Sequence, residues 1–327
     1  MVTRDVIQRA GLHVGQGARR FTFAVLGLAA LAAPVLIGDT YLLTIATQAM
    51  VIVVFCLSWN LAAGFCGTKS LGHQAFFGIG AYVAALTAVD YGYSPWIGLI
   101  AAMIVAGLAA GLLGAVILRL DTLAFTAIGT LAFAEIVRIS AANFKEFTRG
   151  ELGFWGIPPL PDIKLPFGRT LNFDPGAFVN YYLLSVLIML AVYASYRFIL
   201  ASRVGLIIRA IRDAPSAAQA CGINLARYKL AVFIWGGLVL GLSGAFYAYQ
   251  IRVISPSSVL GIDLIVSVLA MTVVGGIGTI HGPIVGAIAL TALGELLRPF
   301  GDWRMVVDGA IIIAAMLYRP NGLLGTR

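Results

Sequence analysis

Residues 91–118 read YGYSPWIGLIAAMIVAGLAAGLLGAVIL, 28 positions without a charge between Asp90 and Arg119. A helix needs about 20 apolar residues to cross a bilayer, so this stretch is long and apolar enough to do so. The pattern repeats on both sides of it. Uncharged gaps of 18 positions (Arg20 to Asp39), 29 (Asp39 to Lys69), 20 (Lys69 to Asp90), 22 (Asp174 to Arg197), 22 (Lys229 to Arg252) and 31 (Asp263 to Glu295) divide the chain. Two more apolar stretches carry charge: 122–142 with Glu135 and Arg138, and 303–319 with Asp308. The longest gap contains Gly275-Gly276-Ile277-Gly278 and then His281-Gly282-Pro283, a density of helix breakers that splits it in two.

The expected architecture is an all-α polytopic membrane protein, one transmembrane domain over residues 1–327. About ten spans are expected, at 21–38, 42–65, 71–89, 95–118, 122–142, 178–199, 230–251, 262–277, 283–297 and 303–319. Composition agrees: of 327 residues 60% are hydrophobic, and 22 Lys/Arg with 14 Asp/Glu make 11% charged. A soluble domain carries about 25%. Mean hydropathy is +0.96. These values exclude a disordered chain, a coiled coil, a collagen and an ordinary soluble enzyme.

The formal charge of +8 is read as an orientation signal, not a nucleic-acid footprint. With the segment 1–20 in the cytoplasm, 14 of the 22 bases fall inside, seven outside and one, Arg138, within a span. Loop 200–229 then lies inside at +4, and loop 143–177 lies outside with no net charge. Ten spans put both ends in the cytoplasm; nine would put the C-terminus outside. Cys56, Cys66 and Cys221 form no C-x-x-C, which leaves metal and redox chemistry without a motif.

In loop 200–229 Asp213 suits an N-cap, Pro215 the first turn, Ala217 and Ala218 a helix interior, and Gly222 a left-handed stop. The expectation is a closed cytoplasmic helix of about two turns over 213–222, whose small residues enter a groove on a partner. The plainer alternative is a loop that only sets topology.

These residues also resemble a known family. Arg212-Asp213-x-x-x-Ala217-Ala218-x-x-x-Gly222-Ile223-Asn224 is similar to the coupling segment of importer permeases in the ATP-binding cassette class, specifically the LivM-type branched-chain amino acid permeases. Gly64-x-x-Gly67-x-x-Ser70-Leu71-Gly72-His73-x-Ala75-Phe76 matches a second block of that family. Ile254-Ser255-Pro256 with Gly275-Gly276-Ile277-Gly278-Thr279-Ile280-His281-Gly282-Pro283 matches a third, and Arg319-Pro320-Asn321-Gly322-Leu323-Leu324-Gly325 a fourth. The likeness covers roughly residues 40–325. It departs at Ala214 and Pro215, where the family often has Asn and an acidic residue. It departs again at Arg149, in place of a glycine, and at Leu152, in place of a polar residue.

The resemblance implies a permease subunit in a bacterial inner membrane, carrying branched-chain or hydrophobic amino acids or related small polar solutes. It implies a heterodimer with a second homologous permease, two ATPase subunits and a periplasmic solute-binding protein. ATP and Mg would be bound by the ATPases, and no cofactor by this chain. Arg209, Arg212, Asp213, Pro215, Ala217, Ala218 and Gly222 are then the coupling residues. Arg149, Glu151 and Trp155 become candidates for docking the binding protein.

His73 and His281 each sit at a Gly-rich entry to a span, with Ser70, Gln74, Gly275 and Gly276 nearby, where exposed backbone needs protein or a water-filled cavity around it. They are read as hinge or solute-path residues; the alternative is close packing around satisfied histidines. Glu135 and Arg138, three apart, share a helix face and suit mutual pairing, or a polar contact with a partner subunit. Gly64-x-x-Gly67-Thr68-Lys69-Ser70 is no phosphate loop, because Thr68 separates Gly from Lys. Two other classes stay open: a channel or secondary transporter, and an intramembrane serine protease built on Ser243 in Gly241-Leu242-Ser243-Gly244 with His281.

Overall fold

The computed structural model describes residues 32–117, 123–164, 170–174 and 176–300, and of the C-terminal segment residues 307, 309, 310, 313, 317, 318 and 322–325. The expected segment 1–20 and most of the first and last expected spans lie outside the described residues.

Among the described residues the architecture is helical. The main helices are α1 (Thr40–Asn60), α2 (His73–Val89), α3 (Pro95–Ile117), α4 (Leu123–Asn143), α5 (Phe178–Ala201), α6 (Arg203–Asp213), α7 (Pro215–Ala220), α8 (Leu225–Ile251), α9 (Pro256–Leu260), α10 (Ile262–Gly275) and α11 (Gly282–Leu296). Six helical segments are long and apolar enough to cross a membrane: α1 with its extension to Phe65, α3, α4, α5, α8, and α9 with α10. The shorter apolar helices α2 and α11 fall where the spans 71–89 and 283–297 are expected.

α2 and α11 have 17 and 15 residues, roughly 26 and 22 Å at 1.5 Å per residue, less than a bilayer core of about 30 Å. Each is preceded by irregular backbone, 66–72 before α2 and 276–281 before α11.

The core is a three-helix contact of α8 with α2 and α3. Glycines set its closeness. A Cβ on Gly241 would stand 2.5 Å from the Ala102 carbonyl oxygen, and one on Gly80 would stand 2.5 Å from the Cα of Gly241. Small residues at crossings let apolar helices pack where water supplies no driving force. α1 packs on α5, α8 and α11, and α10 packs on α11.

Loop 143–177 is tied to the chain by strands. β1 (Phe154–Trp155) pairs antiparallel with β4 (Val253–Ile254), which follows α8, and β2 (Ile163–Lys164) pairs with β3 (Thr170–Leu171). The loops expected on one side therefore meet at one end of the helices. Segments 64–68, 205–213, 276–281 and 322–324 meet at the other.

Candidate functional site

Three consecutive side chains at the end of α1 organise the end of the molecule that carries loop 200–229. Ser58 Oγ donates to the Gly236 carbonyl of α8 at 3.4 Å. Trp59 Nε1 donates to the Ser70 carbonyl at 2.8 Å. Asn60 Nδ2 donates to Tyr196 Oη at 2.8 Å and to the Thr279 carbonyl at 2.9 Å, and its Oδ1 accepts the Gly278 N–H at 2.8 Å. One buried amide thus joins α1, α5 and the 276–281 turn. Beyond it α1 widens into a π-helical turn, Leu61–Phe65, a form frequent at functional sites. Gly64 in this turn lies so close to Gly278 that a Cβ would stand 2.6 Å from the Gly278 nitrogen. Sequence reasoning missed Ser58, Trp59 and Asn60, although a polar and aromatic triplet inside a 29-residue uncharged run was the available signal.

The expected path residues divide into two groups. Ser70, His73 and Gln74 are fully buried at the start of α2. Ser70 Oγ meets His73 Nδ1 at 2.9 Å and accepts from the Gly72 N–H, while Thr130 Oγ1 accepts the Leu71 N–H at 3.0 Å. His73 Nε2 and Gln74 Oε1 have no hydrogen-bond partner, and the imidazole packs edge-on to Phe76 and Phe233. Gly275, Gly276 and His281 lie in and beside the other broken segment. Gly276 has φ of 121°, a conformation that favours glycine, and exposed His281 meets Tyr193 Oη at 3.2 Å through Nδ1. Partial burial and then the nearby Arg197 charge lower the His281 pKa below the ordinary imidazole value. The C-terminal block joins the same end: Leu323 N–H donates to Val274 O at 2.8 Å, and Leu324 N–H to Gly275 O at 3.1 Å.

Loop 200–229 differs from expectation in three ways. It holds two helices, α6 and α7, broken at Ala214, not one helix over 213–222. The N-cap of α7 is Ala214, without a side-chain cap; Asp213 ends α6, and its carboxylate is held by Arg212 Nε at 2.7 Å. That hydrogen bond keeps the Asp213 pKa below the usual carboxylate value. Ala218 is buried against the chain's own body, while Pro215, Ser216, Ala217, Gln219 and Ala220 are exposed. Pro215 does occupy the first turn, and Gly222 takes φ of 80° to stop the helix, with Ile223 N–H returning to Ala218 O. Arg209 is occupied internally, donating to the Leu200 and Gly205 carbonyls that end α5 and begin α6.

At the opposite end Arg149 sits at φ 60°, in the left-handed region that favours glycine. Its Nη2 pairs with Asp90 at 2.9 Å, and its guanidinium lies 4.6 Å from the centre of the Phe154 ring. Glu151 is exposed, and Trp155 is 63% exposed on the two-residue β1–β4 ladder. Glu135 and Arg138 pair with each other within α4, Nε to Oε1 at 2.9 Å. Ser243 Oγ is buried without a hydrogen-bond partner, and His281 is engaged by Tyr193, so no serine–histidine pair forms. Among the described residues no cluster of three metal-ligating side chains occurs.

Comparison with known proteins follows the same lines. The family model described as "Branched-chain amino acid transport system / permease component" matches residues 41–316. The high-affinity branched-chain amino acid transport permease LivM of Escherichia coli (strain K12) is 33% identical over 295 residues, covering 86% of this chain and 69% of that protein. LivM of Salmonella typhimurium is 32% identical over the same length. LivH of Escherichia coli (strain K12) is 24% identical over 312 residues, 89% of this chain and 93% of that protein. No solved structure matches. With the family model spanning most of the chain, this protein belongs to the branched-chain amino acid transport permease family, as a multi-pass permease subunit of an ATP-binding cassette importer and not an enzyme.

Proposed function

We propose that this chain is one half of a heterodimeric importer in a bacterial inner membrane, and that its solutes are branched-chain or related small amino acids. The full topology is ten spans with both ends cytoplasmic, folded as one permease domain. Two ATPase subunits bind the coupling end, and a periplasmic solute-binding protein docks on the outer end. The observation that carries the reading is α7. It is a short helix, started by proline and stopped by glycine, that turns five of its six residues to solvent at the end where α2 and α11 are broken.

In the cycle, closure of the ATPases on ATP displaces α7 and the attached α6. That motion reaches the broken segments 66–72 and 276–281 and switches access across the membrane. Trp155, Glu151 and the Arg149–Asp90 pair form the surface on which the binding protein releases solute. The spans are almost wholly apolar, which suits a weakly interacting path with selection left to the binding protein.

Ala217→Arg tests this in proteoliposomes holding the complete complex. Ala217 faces outward, so the variant inserts as usual, while uptake and ATPase stimulation by the binding protein fall to background. Normal uptake would reject the coupling assignment. Competition of labelled leucine uptake by isoleucine and valine, against urea and small carboxylates, tests the solute class.

A further inference from the structure

The Arg212 side chain lies in a cradle made from three separate segments. Its Nη1 donates to the Gly64 carbonyl at 2.9 Å, a charge-assisted bond to the π-helical end of α1. Its Nε is held by Asp213, so the planar fork is fixed from both sides. Two glycines make room for it. A Cβ on Gly67 would stand 3.2 Å from Arg212 Cγ, at a backbone φ of 74° that favours glycine. A Cβ on Gly278 would stand 3.2 Å from Nη1 and 3.1 Å from the Gly64 oxygen. Gly64 itself abuts Gly278. The Arg212 side chain is about one-third exposed, and only Asp213 and Ala214 separate it from the exposed α7.

We infer that Arg212 is the positioning residue that carries motion of the ATPase-contacting helix into the two broken segments. A displacement of α6–α7 moves the guanidinium, the guanidinium moves the Gly64 carbonyl, and the π turn shifts against Gly278. Asn60, bonded to Gly278, Thr279 and Tyr196, then passes the shift to the 276–281 turn and to α5. The π turn is the compliant part, because its wider hydrogen-bonding pattern lets the end of α1 move without unwinding the span. This inference rests on α7 being the ATPase contact.

The test uses the complete complex in proteoliposomes. Exposed Cys221 is changed to Ser, and Ile277→Cys, in the turn, carries an environment-sensitive fluorophore; Cys56 and Cys66 are buried. The readouts are solute delivered per ATP hydrolysed and the emission change when ATP and vanadate trap the ATPases. Arg212→Met is expected to lower the ratio at least tenfold and to abolish the emission change. Arg212→Lys, which still offers a cationic donor to Gly64, restores most of both. A merely structural role would lower the amount of inserted complex without changing the ratio. Should Arg212→Met fail to insert, Arg212→Gln replaces it with the same expected loss. A parental ratio and emission change in the neutral variant overturns the inference, and so does a Lys variant as damaged as the neutral one. Ala217→Arg separates the two readings: parental uptake there removes the coupling assignment itself, whereas loss there with a parental Arg212→Met removes only the link.

Discussion

The indole N–H of Trp59 donates to the carbonyl oxygen of Ser70 at 2.8 Å, pinning the irregular backbone before α2 to the end of α1. Ser70 is fully buried, so no solvent can replace this donor. Trp59→Phe keeps most of the ring and deletes the bond. An orphaned buried acceptor costs about 1–3 kcal/mol. The variant is expected to unfold in detergent at a lower temperature than the parent, with the Ser70–His73 contact loosened. A parental melting temperature would show that the segment is held by its other contacts alone.

Trp155 stands out from a ladder whose hydrogen bonds are main-chain, so Trp155→Ala removes the ring and leaves the strand pairing. A central aromatic anchor is worth enough that its loss weakens association about tenfold or more. The concentration of binding protein giving half-maximal ATPase stimulation is expected to rise by that factor. An unchanged titration would exclude the β1 face as the docking surface.

Glu135 and Arg138 test charge within a span. Their side chains are about one-third exposed and bound to each other. Glu135→Ala leaves the guanidinium without its counter-ion; an arginine at the centre of a span costs about 2.5–3.5 kcal/mol on insertion scales, an upper bound for Arg138 towards the end of α4. The double variant Glu135→Leu, Arg138→Leu removes both charges. It is expected to recover most of the folded yield that the single variant loses. A double variant as impaired as the single one would mean that the pair also meets a charged partner.

His281 gives the 276–281 turn a pH dependence with a fixed sign. Its pKa in the folded protein lies below the usual value of about 6.5, chiefly from desolvation and then from Arg197. The open or unfolded turn therefore takes up a proton first as pH falls. The packing of the turn is at full strength above about pH 6.5 and weakens on acidification below it. A fluorophore at Ile277→Cys should report this loosening, and His281→Asn should flatten the profile. A parental profile in that variant would assign the transition to another group.

The spans were legible because charge is absent from a long stretch only where lipid or protein core forbids it, so the gaps between Asp39, Lys69, Asp90 and Arg119 marked α1 to α3 directly. Gly222 and Pro215 were legible too, since each is selected by local backbone geometry. Asp213 was misjudged because a carboxylate beside an arginine has two competing uses, and the adjacent guanidinium won over the helix terminus. Ala218 was misjudged because facing inward or outward on a six-residue helix is decided by what α8 offers it. Arg149 at a left-handed position looked like a defect in a loop pattern. Its pairing with Asp90 and Phe154, from distant parts of the chain, supplies the compensation that local sequence does not reveal.

α8 runs unbroken for 27 residues, roughly 40 Å, from the glycine stop after α7 to the strand that pairs with Trp155. The two faces of the membrane are therefore the two ends of one stiff strut. If docking at the outer end raises the affinity of the inner end for ATP-bound partners by some factor, linkage requires those partners to raise the affinity for the binding protein by the same factor. A transporter built this way can register that its binding protein has arrived before any solute has left it.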